Sequence, residues 1–444
     1  MAEWMAGVAE REITPPLGAS MTGYAGRPGP ADRVLDPLYV RALALRPDSG
    51  APVVLTGADL LGISGQMVAE IRAAVATRVP AERLLLNHSH THSGPTTAPL
   101  RCMGTPSAAY NAQVVEHTAA VILEALDRMQ PARLGYGTAP TTIGGNRREL
   151  RDGKIVLGHH EAGAYDPEVY VLRVEGEDGS PLACWFSHAT HPVIMGSANT
   201  GISAEWPGAA AAALRRTLGC PALFAQGCCG DVNPTGRGDH AEVVRVGDVL
   251  AADVLRAWEA AEPMTGGVTA GALERVQLPQ LKPSVDEAEA AFTEAAAERA
   301  AVEDELRAVQ PALAEDERRR RLEVPQAMLE WARDYRRAAQ SPESPSVGMD
   351  VQALRVGDVA LVATAAETFI AIGQEIQRRS PFAHTVVLGY SNGCFGYLPT
   401  ACAFPLGGYE IDRAFQFYGT LMVTPQAEAL TLEAAARVLH RLRD

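Results

Sequence analysis

Cysteine is sparse: seven in 444 residues, an odd number without framework spacing, which excludes a disulfide-stapled scaffold and suits a reducing compartment. Cys228 and Cys229 are adjacent, suiting neither an easy mutual disulfide nor a C-x-x-C metal site, and read as small buried residues. No run approaches the roughly 18 uninterrupted apolar residues of a spanning helix, so stable membrane insertion is not expected. The opening MAEWMAGVAEREITPPLGAS has acidic residues where a secretory leader has basic ones, and no apolar core follows; a cytoplasmic protein is expected. Positive charge is also short. With 39 lysines and arginines against 53 aspartates and glutamates the net charge is −14, which repels a phosphate backbone and argues against a nucleic-acid partner. The one dense basic run, Arg318 to Arg321, sits among glutamates in a helical stretch and reads as a solvated face.

What is present is a globular composition. Hydrophobic residues make up 47% and charged residues 21%, enough apolar side chain for a large core, so disorder is excluded. Up to about residue 265, short β-branched or leucine-rich runs alternate with helical patterns and Gly/Pro turns. Strands are expected at Val53–Thr56, Leu84–Leu86, Val169–Arg173, Ala183–Ser187 and Leu223–Ala225, and helices at Gln66–Thr77, Ala112–Met129, Pro207–Thr217 and Ala241–Ala261. That alternation marks an α/β fold. From Ser284 to about Gln340 the composition shifts to Ala, Glu, Arg and Leu with Pro311 and Pro325 as breaks, an inserted helical hairpin that projects from the body or covers it. Beyond SPESPSVG (341–348), strands resume at Val351–Val356, Val359–Ala363 and Thr385–Gly389, followed by a Gly/aromatic loop to residue 410 and a helix from about Pro425. Neither flank of the insertion looks self-sufficient. Residues 1–444 are therefore expected to form one domain with a helical insertion at about 284–340, which also offers a surface for a homo-oligomer.

Histidine is scarce but not scattered. Three of the 11 stand at alternate positions in LLLNHSHTHSGP (84–95). Alternate side chains of an extended chain share a face, so His88, His90 and His92 are expected on one side of a strand end, where Ser-Gly-Pro turns the chain away. His188 and His191, in SHATHPVIMG (187–196), follow a second apolar strand, and the proline after His191 restricts its backbone. Two such clusters suit a divalent metal, which at a catalytic site takes about three protein ligands and leaves a place for water. Spacing alone does not choose the carboxylate.

HTHSGP (90–95), NR (146–147), HATHP (188–192), GDVNP (230–234), AETF (366–369) and GYLPT with GGYE (396–410) occur in the order found in the neutral, non-lysosomal ceramidases. The chain resembles that family over roughly residues 7–435. The resemblance implies a mixed-sheet ceramidase-like α/β domain and one Zn²⁺ per chain, held by His90, His191, Glu367 and Tyr397. It also implies that His92 and Arg147 contact the scissile group and that Tyr409 is a further active-site tyrosine. Two imidazoles, a carboxylate and a phenol oxygen suit zinc, whose bound water is acidified to a pKa of about 7. Attack of that water on an acyl carbon, with Arg147, His92 or Tyr409 stabilising the oxyanion, yields a carboxylic acid and an amine. His88, His188 and Asp59 have no ligand role in this scheme. They are candidates for orienting the ligands from behind, or for structural polar contacts, a turn cap in the case of Asp59.

The sequence also departs from the family. Asn233 stands in GDVNP where ceramidases have serine; an amide donates and accepts hydrogen bonds but is no nucleophile, which excludes a serine-dependent route and spares attack by metal-bound water. Little sequence follows the matched region, so the family's C-terminal sandwich domain and an export signal are not expected, and neither is extraction of a two-chain lipid. The expected activity is hydrolysis of a linear amide in a small or polar N-acyl substrate rather than ceramide. Alternatives are an esterase or lactonase on the same site, a true ceramidase, a metal-binding homologue without catalysis, and a non-haem iron oxygenase, which Tyr397 disfavours.

Overall fold

In the computed structural model, which describes residues 4–264, 267–309 and 314–443, the core lies between two stacked sheets. The larger runs in the order Ala222–Gln226, Pro181–His188, Glu168–Gly176, Gln130–Pro140, Trp4–Glu12, Tyr39–Pro47, Val53–Ala58, Leu84–His88, with Glu262–Pro263 paired to Gln130–Pro140. Its centre is antiparallel and both edge pairs are parallel. The smaller sheet orders Thr269–Pro279, Ser346–Val356, Val359–Thr364 and His384–Leu388, the last pair parallel.

Pleating sorts the side chains. Leu43, Leu55, Leu85, Leu172, Trp185 and Leu223 pack against Leu354, Leu361, Val386 and Leu388 of the other sheet. Their neighbours along the chain point outward: Ala42, Val54 and Leu84 pack with the helices Gly65–Val75 and Ala108–Asp127. Val171, Phe186 and Phe224 pack with Glu205–Leu218 and His240–Glu259. Val351, Val362 and Val387 of the smaller sheet meet Ile370–Arg379 and Gln426–Arg441. Four layers result, α/β/β/α. Strands buried on both faces explain why the sequence shows apolar runs instead of strict alternation.

A buried amide pair ties the parallel strand ends into one rim. Asn87 Nδ2 donates to Gln226 O (3.2 Å), Gly389 O (3.0 Å) and Ser391 Oγ (3.0 Å), and Gln226 N returns a bond to Asn87 Oδ1 (2.7 Å). Gln226 Nε2 donates to the carbonyls of Ser89 and Thr190, both at 2.9 Å. With every donor satisfied, this network locks the two histidine segments side by side.

The expected elements are present, with four further strands of nine residues or more, Trp4–Glu12, Tyr39–Pro47, Gln130–Pro140 and Thr269–Pro279, and several short ones. The insertion is two helices, Val285–Ala308 and Glu315–Gln340, and Pro325 lies inside the second instead of breaking it; Pro311 falls outside the described residues. The hairpin covers the body. Trp331 packs on Phe415 (ring centroids 5.9 Å apart), and Asp334 pairs with Arg101. All seven cysteines are free, and no helix among the described residues is long and apolar enough to cross a membrane.

Candidate metal centre

The strand Leu84–His88 ends at the first histidine of its motif, so the expected alternation of His88, His90 and His92 on one face is not what brings rings together. His90 has φ +65°, a left-handed conformation uncommon for a residue with a side chain. Hydrogen bonds from Ser89 N to Ala58 O and from His90 N to Leu60 O bend the chain there. His90 and His92 then lie edge to face, 4.9 Å apart, and His191 is 5.1 Å from His90 and 5.8 Å from His92.

The hydrogen bonds choose the tautomers. His90 Nδ1 lies 2.9 Å from Leu61 O, and His191 Nδ1 lies 2.6 Å from Cys229 O. A ring nitrogen beside a carbonyl oxygen carries the proton, so both rings present an unprotonated Nε2. Those nitrogens meet the same atom, Glu367 Oε2, at 3.4 Å and 3.1 Å. Burial, reinforced by the charge of Arg147, pulls His191 down to about 4, so its ring is neutral at ordinary pH. Tyr418 Oη donates to Glu367 Oε1 and Tyr390 Oη to Oε2 at 3.3 Å.

These residues fit a metal. The histidines His90, His92 and His191 each offer a nitrogen within 4.8 Å of the others. Both nitrogens of His92 are buried without a hydrogen-bond partner, an arrangement disfavoured unless a ligand completes it. Neutral imidazoles converging on an ionised carboxylate, with the opposite nitrogens tied to backbone carbonyls, form a donor set suited to a divalent ion such as zinc. His92, expected on the substrate side, borders this space as closely as the two expected histidine ligands.

Arg147 crosses the site. The short antiparallel pair Gly144–Asn146 and Val232–Pro234 brings it beside Asn233. Its Nε donates to Glu410 Oε1 (2.8 Å), Nη2 to Tyr397 Oη (2.9 Å) and Nη1 to Asn233 Oδ1 (3.3 Å). Glu410 is fully buried and also holds Arg148 at 2.5 Å. Tyr397 is paired in register with Glu367, and its ring meets that of Tyr409 at 6.1 Å. Burial, with Glu367 nearby, pushes Tyr409 up to about 12, so it stays a protonated donor.

The remaining expected residues stand behind this constellation. His88 Nδ1 bonds the carbonyl of Tyr390 (3.2 Å), so it supports the loop whose tyrosine reaches Glu367. His188 is spent on Glu168 O and Thr190 Oγ1, both at 2.9 Å. Asp59 accepts from Tyr39 N (2.8 Å) and Arg41 Nη1 (3.1 Å), fixing the strand end whose carbonyls Leu60 and Leu61 orient His90. Sequence reasoning assigned no role to Glu410, Tyr418, Tyr390 or Asp231, whose carboxylate accepts from Asn146 Nδ2 (3.1 Å) and Ile370 N (2.8 Å) and so ties the segments of Arg147 and Glu367 together. Glu410 and Asp231 lie inside the GGYE and GDVNP motifs, whereas Tyr390 and Tyr418 carried no signal beyond being aromatic.

Gly230 packs so tightly that a Cβ there would stand 2.5 Å from the carbonyl oxygen of Glu367. Gly230→Ala should therefore displace that strand, lowering stability by about 2 kcal/mol and weakening metal binding with it. Urea unfolding and metal titration check both; a variant unchanged in each would show that the turn has slack.

Glu205 is fully buried with φ +59°. Its Oε1 accepts from Met195 N (2.8 Å) while Oε2 has no partner, and the adjacent Trp206 Nε1 donates to His191 O (3.1 Å). Burial pushes its carboxyl up to about 7 from an ordinary 4.5. The folded state thus holds this proton more tightly than the unfolded one, and stability falls as pH rises from about 4.5 toward 7. Glu205→Gln should be more stable than the wild type at pH 8 by on the order of 1–3 kcal/mol, a gap that nearly closes at pH 5. Urea unfolding at the two pH values tests this, and an equal gap at both would contradict it.

No protein-family model and no curated protein matches this chain. Among solved structures, its fold matches a neutral ceramidase from Pseudomonas aeruginosa with a TM-score of 0.71 at 19% sequence identity, covering 100% of this chain and 75% of that one. A ceramidase complexed with C2 matches with a TM-score of 0.73 at 18% identity, covering 100% and 76%. The ceramidase-like mixed-sheet fold expected from the motifs is thus the fold found. Identity this low speaks for the fold alone.

Proposed function

We propose that this chain is a zinc-dependent hydrolase that cleaves a linear amide bond in a small or polar N-acyl compound. One observation carries the reading: two imidazoles from separate strand ends, each tied through Nδ1 to a backbone carbonyl, present Nε2 to one oxygen of Glu367. His90, His191 and Glu367 would hold the ion, with Tyr397 beside Glu367 in register as a further oxygen donor. When bound, zinc supplies Lewis acidity, activating water near neutral pH and polarising a carbonyl.

The protein's own groups do the rest. Arg147, anchored by Glu410, directs its two terminal nitrogens at Asn233 and Tyr397, so it is a prepositioned donor for charge that develops on an acyl oxygen. His92 stays neutral, burial holding its pKa well below the usual value, and its unpartnered nitrogens suit contact with the scissile group. Tyr409 donates without ionising. Asn233 accepts from Arg147 through its oxygen, which leaves its NH₂ for the substrate. The Coulomb and hydrogen-bond effects of these groups are strengthened by burial, Arg147 and Glu367 both being almost wholly enclosed.

The test combines metal analysis with a substrate panel of N-acyl amines, N-acyl amino acids, lactones and a short-chain ceramide. About one zinc per chain with turnover of an amide is the expected result. Metal with turnover of lactones alone would move the activity to ester chemistry, and no metal after chelator-free purification would overturn the reading.

A further inference from the structure

Arg27 is a buried cation without a counter-ion. It is 8% exposed, and its guanidinium donates to three backbone carbonyls: Asn199, Thr22 (3.1 Å) and His92 (2.6 Å). No ion pair joins it to a carboxylate among the described residues, and its Nε is buried with no hydrogen-bond partner. A buried guanidinium left to neutral dipoles is unfavourable, and such broken rules concentrate where a ligand completes the arrangement.

A ligand has a route to it. Two adjoining hollows of about 560 and 710 Å³ run between the inserted hairpin and the loops 18–30 and 98–105. Five arginines and three glutamates line them; Arg299 and Arg318 pair with Glu303, and Arg320 with Glu317. The inner hollow has Arg27 and Tyr24 on one wall and Arg319 and Arg320 of the hairpin on another, with Glu323 as its single carboxylate. Tyr24 lies ring to ring with His92, 5.1 Å apart. The wall of the groove that carries Arg27 and Tyr24 therefore stands behind an imidazole of the metal centre.

We propose that this groove receives an anionic group of the substrate with Arg27 as its anchor, so that the compound cleaved is an N-acyl derivative bearing a carboxylate. The proposal rests on the hydrolase reading of the metal centre. A guanidinium offers a planar fork of donors that matches a carboxylate; Nε of Arg27 is enclosed and has no partner. The hairpin completes the groove by adding its arginines from across the gap, which gives this insertion a part in substrate selection.

N-octanoyl-glycine and N-octanoyl-propylamine share an acyl chain and a scissile amide and differ in the carboxylate. The wild type should favour the glycine compound in kcat/KM by at least about tenfold, the effect of one charged hydrogen bond. Arg27→Gln should bring that ratio close to one. Arg320→Gln, on the hairpin and away from the packing of Arg27, should lower it part of the way. Equal turnover of the two compounds by the wild type overturns the proposal, as does an unchanged ratio in Arg320→Gln where Arg27→Gln does not fold. If neither amide is cleaved, the hydrolase reading fails on its own, and calorimetric binding decides the groove. Tighter binding of N-octanoyl-glycine by at least about tenfold sustains the anion site, and equal binding removes it.

Discussion

Glu367→Gln should abolish zinc binding while leaving the metal-free fold as stable as before, or more so. Glu367 is almost wholly enclosed, at 2% exposure, and its charge faces two imidazoles whose Nε2 atoms carry no proton. A buried carboxylate in that company is costly without a cation. The glutamine keeps the shape, and its oxygen still accepts from a tyrosine, Tyr418 or Tyr390. Loss of an outer contact to a metal ligand weakens binding by about 10–100-fold, so loss of the charged ligand itself should exceed that. In the wild type, free zinc at 100 times its Kd should add about 2.7 kcal/mol of stability, and a chelator should remove it. The variant should show neither response. A wild type whose melting temperature ignores both zinc and chelator would dispose of the metal centre; a variant that still responds would take Glu367 off the list of ligands.

That experiment probes a residue whose place was read from a motif. His90 and His191 were legible because a chain with 11 histidines spends five in two strand-end clusters. Their geometry was not. Alternation predicted one face for His88, His90 and His92, whereas the left-handed turn at His90 sets the convergence, and a backbone torsion leaves no mark in residue type. Glu410 and Tyr418 reach the site by tertiary packing from two short helices, Tyr409–Asp412 and Ala414–Tyr418, 43 and 51 residues beyond Glu367, a distance at which no spacing rule operates. Two of the long unforeseen strands have another cause. Gly7 in Trp4–Glu12 and Gly137 in Gln130–Pro140 look like breaks, yet a Cβ on either would meet a helix carbonyl at 2.1 Å, that of Ala125 or Ala257. Those glycines let a helix lie close against a strand, a meaning visible only once both are in place. The inserted hairpin was legible as helix from its Ala, Glu, Arg and Leu content, but its docking through Trp331 and Phe415 was not.

Arg147→Lys should retain zinc and most of the stability while lowering kcat about 100-fold, near the lower bound for removing one donor from an oxyanion site. The wild-type side chain spends its fork on three partners at once: Glu410 from Nε, and Tyr397 and Asn233 from the terminal nitrogens. Lysine keeps the charge that Glu410 requires, so the buried carboxylate is not orphaned, and Arg148 remains at 2.5 Å to share it. A single ammonium cannot reproduce the planar divergence toward Tyr397 and Asn233. The two outer contacts should fail together, which misplaces charge stabilisation without touching His90, His191 or Glu367. Arg147→Ala is the harsher contrast. It removes one of the two cations on Glu410 and should cost about 3–5 kcal/mol, as expected when a buried pair is broken from one side. Zinc content, kcat and urea stability measured on both variants separate the two roles of this residue. Should the lysine variant keep full kcat, Arg147 would be a structural brace for Glu410, and the stabilisation of the acyl oxygen would fall to His92 and Tyr409.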